Sequence, residues 1–223
     1  MRLVTALLVK DEADRYLTRV LQRCQEFSDA VLVLDDRSSD ETPKIAKDLG
    51  CVVRTRSILQ DPAWGKEAPA RAELWDWAAQ EAQDGWVLFC DADMLFQGNP
   101  RDLCWSTEVN SWAMILFDVW DAAESVFRFD GPWMGHRTPR PWLVRPEAFG
   151  ADYKPLWPQR GIHTGHIPAN APLMVGVAPP DTYYWLHLQY ATPESRQRKY
   201  EAYRAVAPQL TEFEKMHAET ILT

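Results

Sequence analysis

Four short apolar runs constrain this chain most: Leu3 to Val9, Ala30 to Leu34, Cys51 to Thr55 and Trp86 to Cys90. Each is too short for a buried helix and reads as a strand, and the stretches between them carry a helical period. Asp14 to Phe27 spaces Tyr16, Leu17, Val20, Leu21 and Cys24 along one face. In "DDRSSDETPKIAKDLG", Thr42 is placed to cap a helix with Pro43 in its first turn, and Gly50 to close it. Glu67 to Gln83 puts Leu74, Trp75, Trp77, Ala78 and Ala79 on or near one side. Strand-helix alternation with fully apolar strands predicts an α/β fold: a mostly parallel central sheet covered by helices on both faces.

After Asp93 the texture changes. Pro, Trp and Gly become frequent, and the expected strands are short: Trp112 to Val119, Ser125 to Phe129, Trp142 to Arg145 and Tyr183 to Leu188. Helices are expected over Pro193 to Val206 and Thr211 to Thr220. The break near residue 97 reads as a change of role within one domain, 1–223: residues 1–97 form the regular strand–helix half, residues 98–223 a mixed, loop-rich half with the terminal helices.

The net charge of −8 argues against nucleic acid or an anionic membrane as the main partner, since both require Lys/Arg patches. Cys24, Cys51, Cys90 and Cys104 show no C-x-x-C spacing and read as buried free thiols. The opening "MRLVTALLVKDEADR" reads as a first strand, not a signal peptide, and no apolar stretch approaches the roughly 20 residues of a transmembrane helix. A cytoplasmic, reduced setting is expected.

Three polar clusters follow predicted strands: Val9-Lys10-Asp11-Glu12, Asp35-Asp36 and Asp91-Ala92-Asp93. Ligands of parallel sheets bind beyond the carboxyl ends of strands, so neighbouring strands would gather these acids in one crevice. About one D-x-D arises by chance in an acid-rich chain of this length; its position at a strand end is what gives it weight. Paired carboxylates are hard oxygen ligands suited to Mg²⁺ or Mn²⁺, whose shell is completed by water and substrate phosphate. No Walker sequence and no G-x-G-x-x-G occurs, so a metal-bridged diphosphate is the economical expectation.

In that order and spacing, "ALLVKDEADRYL", "VLVLDDRSSDET", "PARAELWDWA" and "WVLFCDADM" resemble family-2 glycosyltransferases of the GT-A fold, over about the first 100 residues. "YYWLHLQYATPESRQRKYEAY" resembles the terminal segment of their bacterial branch. The resemblance implies a metal-dependent, inverting transfer of sugar from a nucleoside-diphosphate donor, a UDP-sugar, to an acceptor hydroxyl on a glycan, lipid-linked sugar or protein. It implies a donor site of Val9, Lys10, Glu12, Asp36, Arg71, Asp91 and Ala92. Val9 would lie by the nucleoside, Asp36 would accept from uracil N3, and Arg71 would lie by base or phosphate. Asp91 would face ribose or metal-bound water and belong, with Asp93 and His187, to the Mn²⁺ or Mg²⁺ site; residues 1–97 would form the nucleotide-sugar half and residues 98–223 the acceptor half. Read from pattern alone, His187 is first an imidazole on a packed aromatic face with Tyr183 and Trp185.

The base is the open position. Relatives often carry a His-Glu pair late in the chain, whereas "RGIHTGHIP" has Thr164 after His163. Asp130, before a Gly-Pro turn, ranks first, with His163, Asp121 and Glu147 as further candidates. Of the eleven tryptophans, Trp120, Trp133, Trp142 and Trp157 are candidates to stack on an acceptor sugar, against a default of core packing. Arg196, Arg198, Lys199 and Arg204 form a basic helix face, and one or two of them are placed to reach a diphosphate. His136, Arg137 and Arg140 could meet an anionic acceptor. Two rival readings stand beside this one: a haloacid-dehalogenase-like phosphatase using Asp91 and Asp93, and a non-catalytic nucleotide-sugar-binding module.

Overall fold

The structure is a computed structural model; it describes residues 1–56, 67–121, 123, 126–158 and 164–223. The first half follows the expected alternation: β1 (Leu3–Val9), α1 (Leu17–Gln25), β2 (Ala30–Asp35), α2 (Thr42–Asp48), β3 (Val52–Thr55), α3 (Ala68–Ala82) and β4 (Trp86–Cys90). Strands β3, β2, β1 and β4 lie side by side in that order, all parallel. Alternate residues of β1 enter opposite cores. Leu3, Leu7 and Val9 pack with Leu17, Val20 and Leu21 of α1, while Val4 and Ala6 pack with Leu74, Trp75 and Trp77 of α3. Burial on both faces is why these strands read as continuous apolar runs.

Thr42 does not cap α2. The helix begins at Thr42 with Glu41 preceding it, and the Thr42 hydroxyl accepts instead from the Glu12 amide at 2.7 Å. Asp40 accepts from the amides of Thr42 and Ala13, and Ser39 donates its amide to Asp11 at 2.7 Å. The "DDRSSDET" stretch thus stitches the loop after β1 to the loop after β2. Gly50 closes α2 as expected, at φ +80°, a left-handed conformation that glycine adopts without steric penalty.

The second half completes the sheet with β5 (Met94–Gln97), β6 (Ser111–Asp118), β7 (Arg140–Val144), β8 (Val175–Val177) and β9 (Tyr184–His187). Antiparallel β7 joins β4 to β6; β6 then pairs with β8 along its first half and with β9 along its second, and β5 lies beyond β9. Strands β5 and β8 are too short for periodicity to announce them. The strand expected over Ser125 to Phe129 reduces to a bridge between Val119 and Phe127, and residue 125 itself lies outside the described residues. Helices α4 (Pro193–Ala205) and α5 (Glu212–Glu219) match expectation, each with a capping box, on Thr192 and Thr211. They pack over a third core of Trp133, Tyr190, Tyr203, Ala218 and Ile221. Among the described residues no helix is long and apolar enough to cross a membrane.

Candidate active site

The carboxyl ends of β1, β2 and β4 open into a cavity of about 690 Å³, lined by Val9, Lys10, Glu12, Asp36, Arg71, Asp91, Ala92, Asp93 and His187 among others. The three polar clusters therefore converge as their positions predict.

Two registers bring His187 to the D-x-D. It lies opposite Met94 on β5 and opposite Asp118 on β6, and the Leu188 amide donates to the Asp93 carbonyl at 2.8 Å. The imidazole is thereby held between two acids. Its Nδ1 is 2.7 Å from Asp118 Oδ1, and its Nε2 stands 3.8 Å from Asp93 Oδ1. Burial lowers the His187 pKa, but the Asp118 hydrogen bond and the Asp93 charge outweigh it and leave it raised. Asp118 escaped the sequence reading. Its only signal was an acid ending a predicted strand, and its pairing with His187 is non-local.

Asp91 faces a different set. Its Oδ1 receives Arg71 Nη2 from the first turn of α3 and lies 3.0 Å from His166 Nε2. Burial would push this carboxyl up, yet the charges of His166 and Arg71 hold it well below the usual carboxylate range. Arg71 also reaches Glu67 at 3.3 Å. Asp36 is fully buried and accepts from Arg56 Nη1 at 2.7 Å, with Lys10 Nζ 3.9 Å from its other oxygen. Glu12 lines the cavity and accepts from Arg15 at 2.8 Å; burial, opposed by Arg15 and reinforced by Asp93, raises its pKa to about 8. Arg15 reaches Asp93 Oδ2 at 3.6 Å.

Of the basic residues expected on the terminal helix, Arg198 and Lys199 line the cavity. Burial lowers the Lys199 pKa, against the pull of Asp93. Arg196 instead donates to the carbonyls of Trp120 and Tyr190. Arg140 lines the cavity; His136 and Arg137 are not among its lining residues. Trp142 is the one candidate tryptophan in the lining. Trp133 is buried in the third core, with Trp120 against it, and Trp157 packs against Trp75.

Asp130 stands apart. It is not among the cavity-lining residues, its side chain is 66% exposed, and both oxygens pair with Arg128, at 2.6 and 3.0 Å. Asp130, ranked first as base in the sequence, thus lies apart from the cavity lining. His163 lies outside the described residues. His217 of α5, unremarked in the sequence, lines the cavity with its ring 4.2 Å from that of Trp133. Burial lowers its pKa to about 4. The unfolded chain therefore binds more protons than the native one between about pH 6.5 and 4, so this contribution to stability is lost as pH falls through that window. Urea titrations across it should show a shallower acid loss for His217→Gln than for the native chain; equal slopes would remove His217 as the cause.

Metal fit can be tested on the donor set. Among the described residues no three His, Cys, Asp or Glu side chains form a ready-made metal cage. Asp93 and His187 do present a carboxylate oxygen and an imidazole nitrogen across a gap too wide for a hydrogen bond. The Asp118 contact on the far nitrogen is the arrangement that orients a ligating histidine. The pair fits part of a divalent shell whose remaining positions belong to substrate and water.

The curled, mostly parallel sheet with this cavity at its strand ends defines the class of fold: GT-A, as in the glycosyltransferases that share it. S. aureus TarS matches with a TM-score of 0.57 at 18% identity, over 100% of this chain and 42% of that one. Its 1–349 fragment in complex with UDP matches at 0.58 and 17% identity, covering 100% and 70%. The mannosyltransferase PcManGT from Pyrobaculum calidifontis, in complex with GDP-Man and Mn²⁺, matches at 0.53 and 14% identity, covering 99% and 69%. In sequence, uncharacterized proteins of Mycobacterium bovis and Mycobacterium tuberculosis are 33% identical over 97 residues, 42% of this chain. That match spans 24% of their length, so the chain aligns with about a quarter of the curated relatives. No protein-family model matches the chain.

Proposed function

We propose that the protein is a metal-dependent, family-2-like glycosyltransferase, moving a sugar from a UDP-sugar to an acceptor hydroxyl with inversion. The observation that carries this reading is the Asp93–His187 pair, oriented by Asp118, in the same cavity as Asp36, Arg71 and Asp91. The UDP complex of the TarS fragment and the GDP-Man complex of PcManGT support a nucleotide donor.

In this reading residues 1–97 form the donor half of a single domain spanning 1–223, and residues 98–223 the acceptor half. Val9, Lys10, Glu12, Asp36 and Ala92 hold the nucleoside, with Asp36 fixed by Arg56 so that an oxygen can accept from uracil N3. Asp91, kept ionised by Arg71 and His166, accepts from ribose hydroxyls. Asp93 and His187 hold the divalent ion, Mn²⁺ or Mg²⁺. When bound, that ion acts as Lewis acid on the departing diphosphate. Arg198 and Lys199, which line the cavity, meet the same diphosphate. In the transfer, the acceptor oxygen bonds the anomeric carbon, the carbon–oxygen bond to the diphosphate breaks, and the acceptor proton passes to a carboxylate of the cavity. Four cysteines, none paired, support a reducing cytoplasmic setting.

The test is a thermal-shift panel of nucleoside diphosphates with and without Mn²⁺. Ligand at 100 times its Kd stabilises by about 2.7 kcal/mol, so UDP with Mn²⁺ should raise Tm where either alone does little. A panel with no metal-dependent shift for any nucleotide would overturn the reading. In the same assay, Asp118→Asn should weaken Mn²⁺ about 10- to 100-fold, the usual effect of losing a histidine's orienting carboxylate.

A further inference from the structure

Among the described residues, two side chains hydrogen-bond the Asp91 carboxylate. Arg71 comes from residues 1–97. The other, His166, comes from the connection between β7 and β8, and the sequence reading passed over it. Its place is well fixed. Ile167 packs against the core around Leu74 and Trp75, and Thr164 is buried, so the backbone on either side of His166 is anchored. The imidazole lies against Trp142 of β7, with ring centres 4.6 Å apart. Trp142 lies in turn 5.6 Å from the Trp185 ring of β9. From this seat Nε2 reaches Asp91 Oδ1 at 3.0 Å. An ionised carboxylate only accepts, so Nε2 is the nitrogen that carries the proton.

Both donors fall on one oxygen. Among the described residues, every hydrogen bond and ion pair to this carboxylate is made by Oδ1. Asp91 nevertheless lines the cavity with its side chain 37% exposed, which leaves Oδ2 to a ligand. The last torsion of an aspartate is broad and roughly two-fold, so its partners alone select which oxygen faces outward. Arg71 holds Oδ1 loosely, because it divides the same Nη2 between Asp91 and Glu67. His166, wedged on Trp142, supplies the directional contact.

We propose that His166 is a positioning residue for the donor: by holding Asp91 Oδ1 it turns Oδ2 to the ribose, so that recognition of the ribose hydroxyls depends on a side chain from residues 98–223 as well as on the D-x-D. The proposal rests on the nucleotide-sugar reading for its ligand. His166 acts through Asp91 and does not itself touch the ribose.

Calorimetry with UDP, 2′-deoxy-UDP and 3′-deoxy-UDP, each with Mn²⁺, tests it. A hydroxyl that donates to a charged acceptor contributes about 10- to 100-fold in affinity, so the native chain should bind at least one deoxy analogue that much more weakly than UDP. His166→Phe keeps a ring on Trp142 and removes the donor. His166→Gln removes the ring and keeps an N–H near the place of Nε2. The preference for UDP should fall below about threefold in His166→Phe and survive in His166→Gln, with cooperative melting in both. A role in packing alone gives the opposite order, because the phenyl ring fills the seat and the amide does not. Preference retained in His166→Phe, or lost in both variants, would overturn the proposal. So would a variant that weakens UDP and both analogues by one factor, since that marks a loss of metal affinity and leaves ribose recognition intact. A native chain that binds UDP and both analogues alike would overturn this role and leave the donor reading standing. Failure of the native chain to bind UDP at all would overturn the donor reading and this role with it.

Discussion

Asp93→Ala is expected to abolish the Mn²⁺-dependent stabilisation by UDP and to lower kcat/KM for sugar transfer about 10³-fold. Asp93 is the carboxylate facing His187 Nε2, and in the proposed reaction losing the ion it would hold removes charge stabilisation worth several kcal/mol, or about three decades in rate. The side chain lies at a cavity wall after β4 and not within the apolar core, so the variant should still fold. Its own melting curve without ligand checks this. Calorimetry of Mn²⁺ binding in the presence of UDP reads the affinity, and single-turnover transfer reads the rate. A variant that keeps the metal-dependent shift would show that the ion is held elsewhere, and the Asp93–His187 assignment would fall.

Arg56→Leu is expected to lower stability substantially. Arg56 and Asp36 are a buried ion pair, with side chains 1% and 0% exposed and 2.7 Å between them. Removing one partner of such a pair strands the other charge and costs about 3–5 kcal/mol. In a domain of this size each kcal/mol lowers Tm by about 2–4 °C, so a fall of roughly 6–20 °C should be seen. Lys10 and Arg37, each 3.9 Å from Asp36, place the expected value toward the lower end. Replacing both partners, Asp36→Leu with Arg56→Leu, should recover most of the stability, because two apolar side chains leave no uncompensated charge. It should not recover nucleotide binding. If the single variant melts within about 2 °C of the native chain, the pair is solvated in solution and Asp36 lacks the fixed orientation that the donor site requires.

The two experiments separate roles that look alike in the sequence. Asp36 and Asp93 are both acids just past a buried strand. One is neutralised by a buried arginine and is part of the fold's stability; the other faces a histidine across a gap.

Much of this was legible in the chain because it is local. Apolar runs bounded by helical periods specified β1 to β4 and their parallel packing, since a strand buried on both faces has no other covering than helices. The acids after Val9, Leu34 and Cys90 marked where those strands end, and strand ends in a parallel sheet share one side. Terminal helices α4 and α5 were legible over Pro193 to Val206 and Thr211 to Thr220, and the structure adds the capping boxes that start them. What escaped is non-local. The resemblance put His187 with Asp93, but the registers of β9 against β5 and β6 are what bring it to Asp118 as well, and no spacing along the chain encodes a register between strands so far apart in sequence. Asp130 carried the same local signature as a functional acid, and the fold turned it outward onto Arg128. Residue chemistry and the strand–helix alternation came from the sequence by itself; which strands are neighbours, which acids face His187 and which face solvent was decided by tertiary pairing, because side-chain direction follows from register and not from residue type.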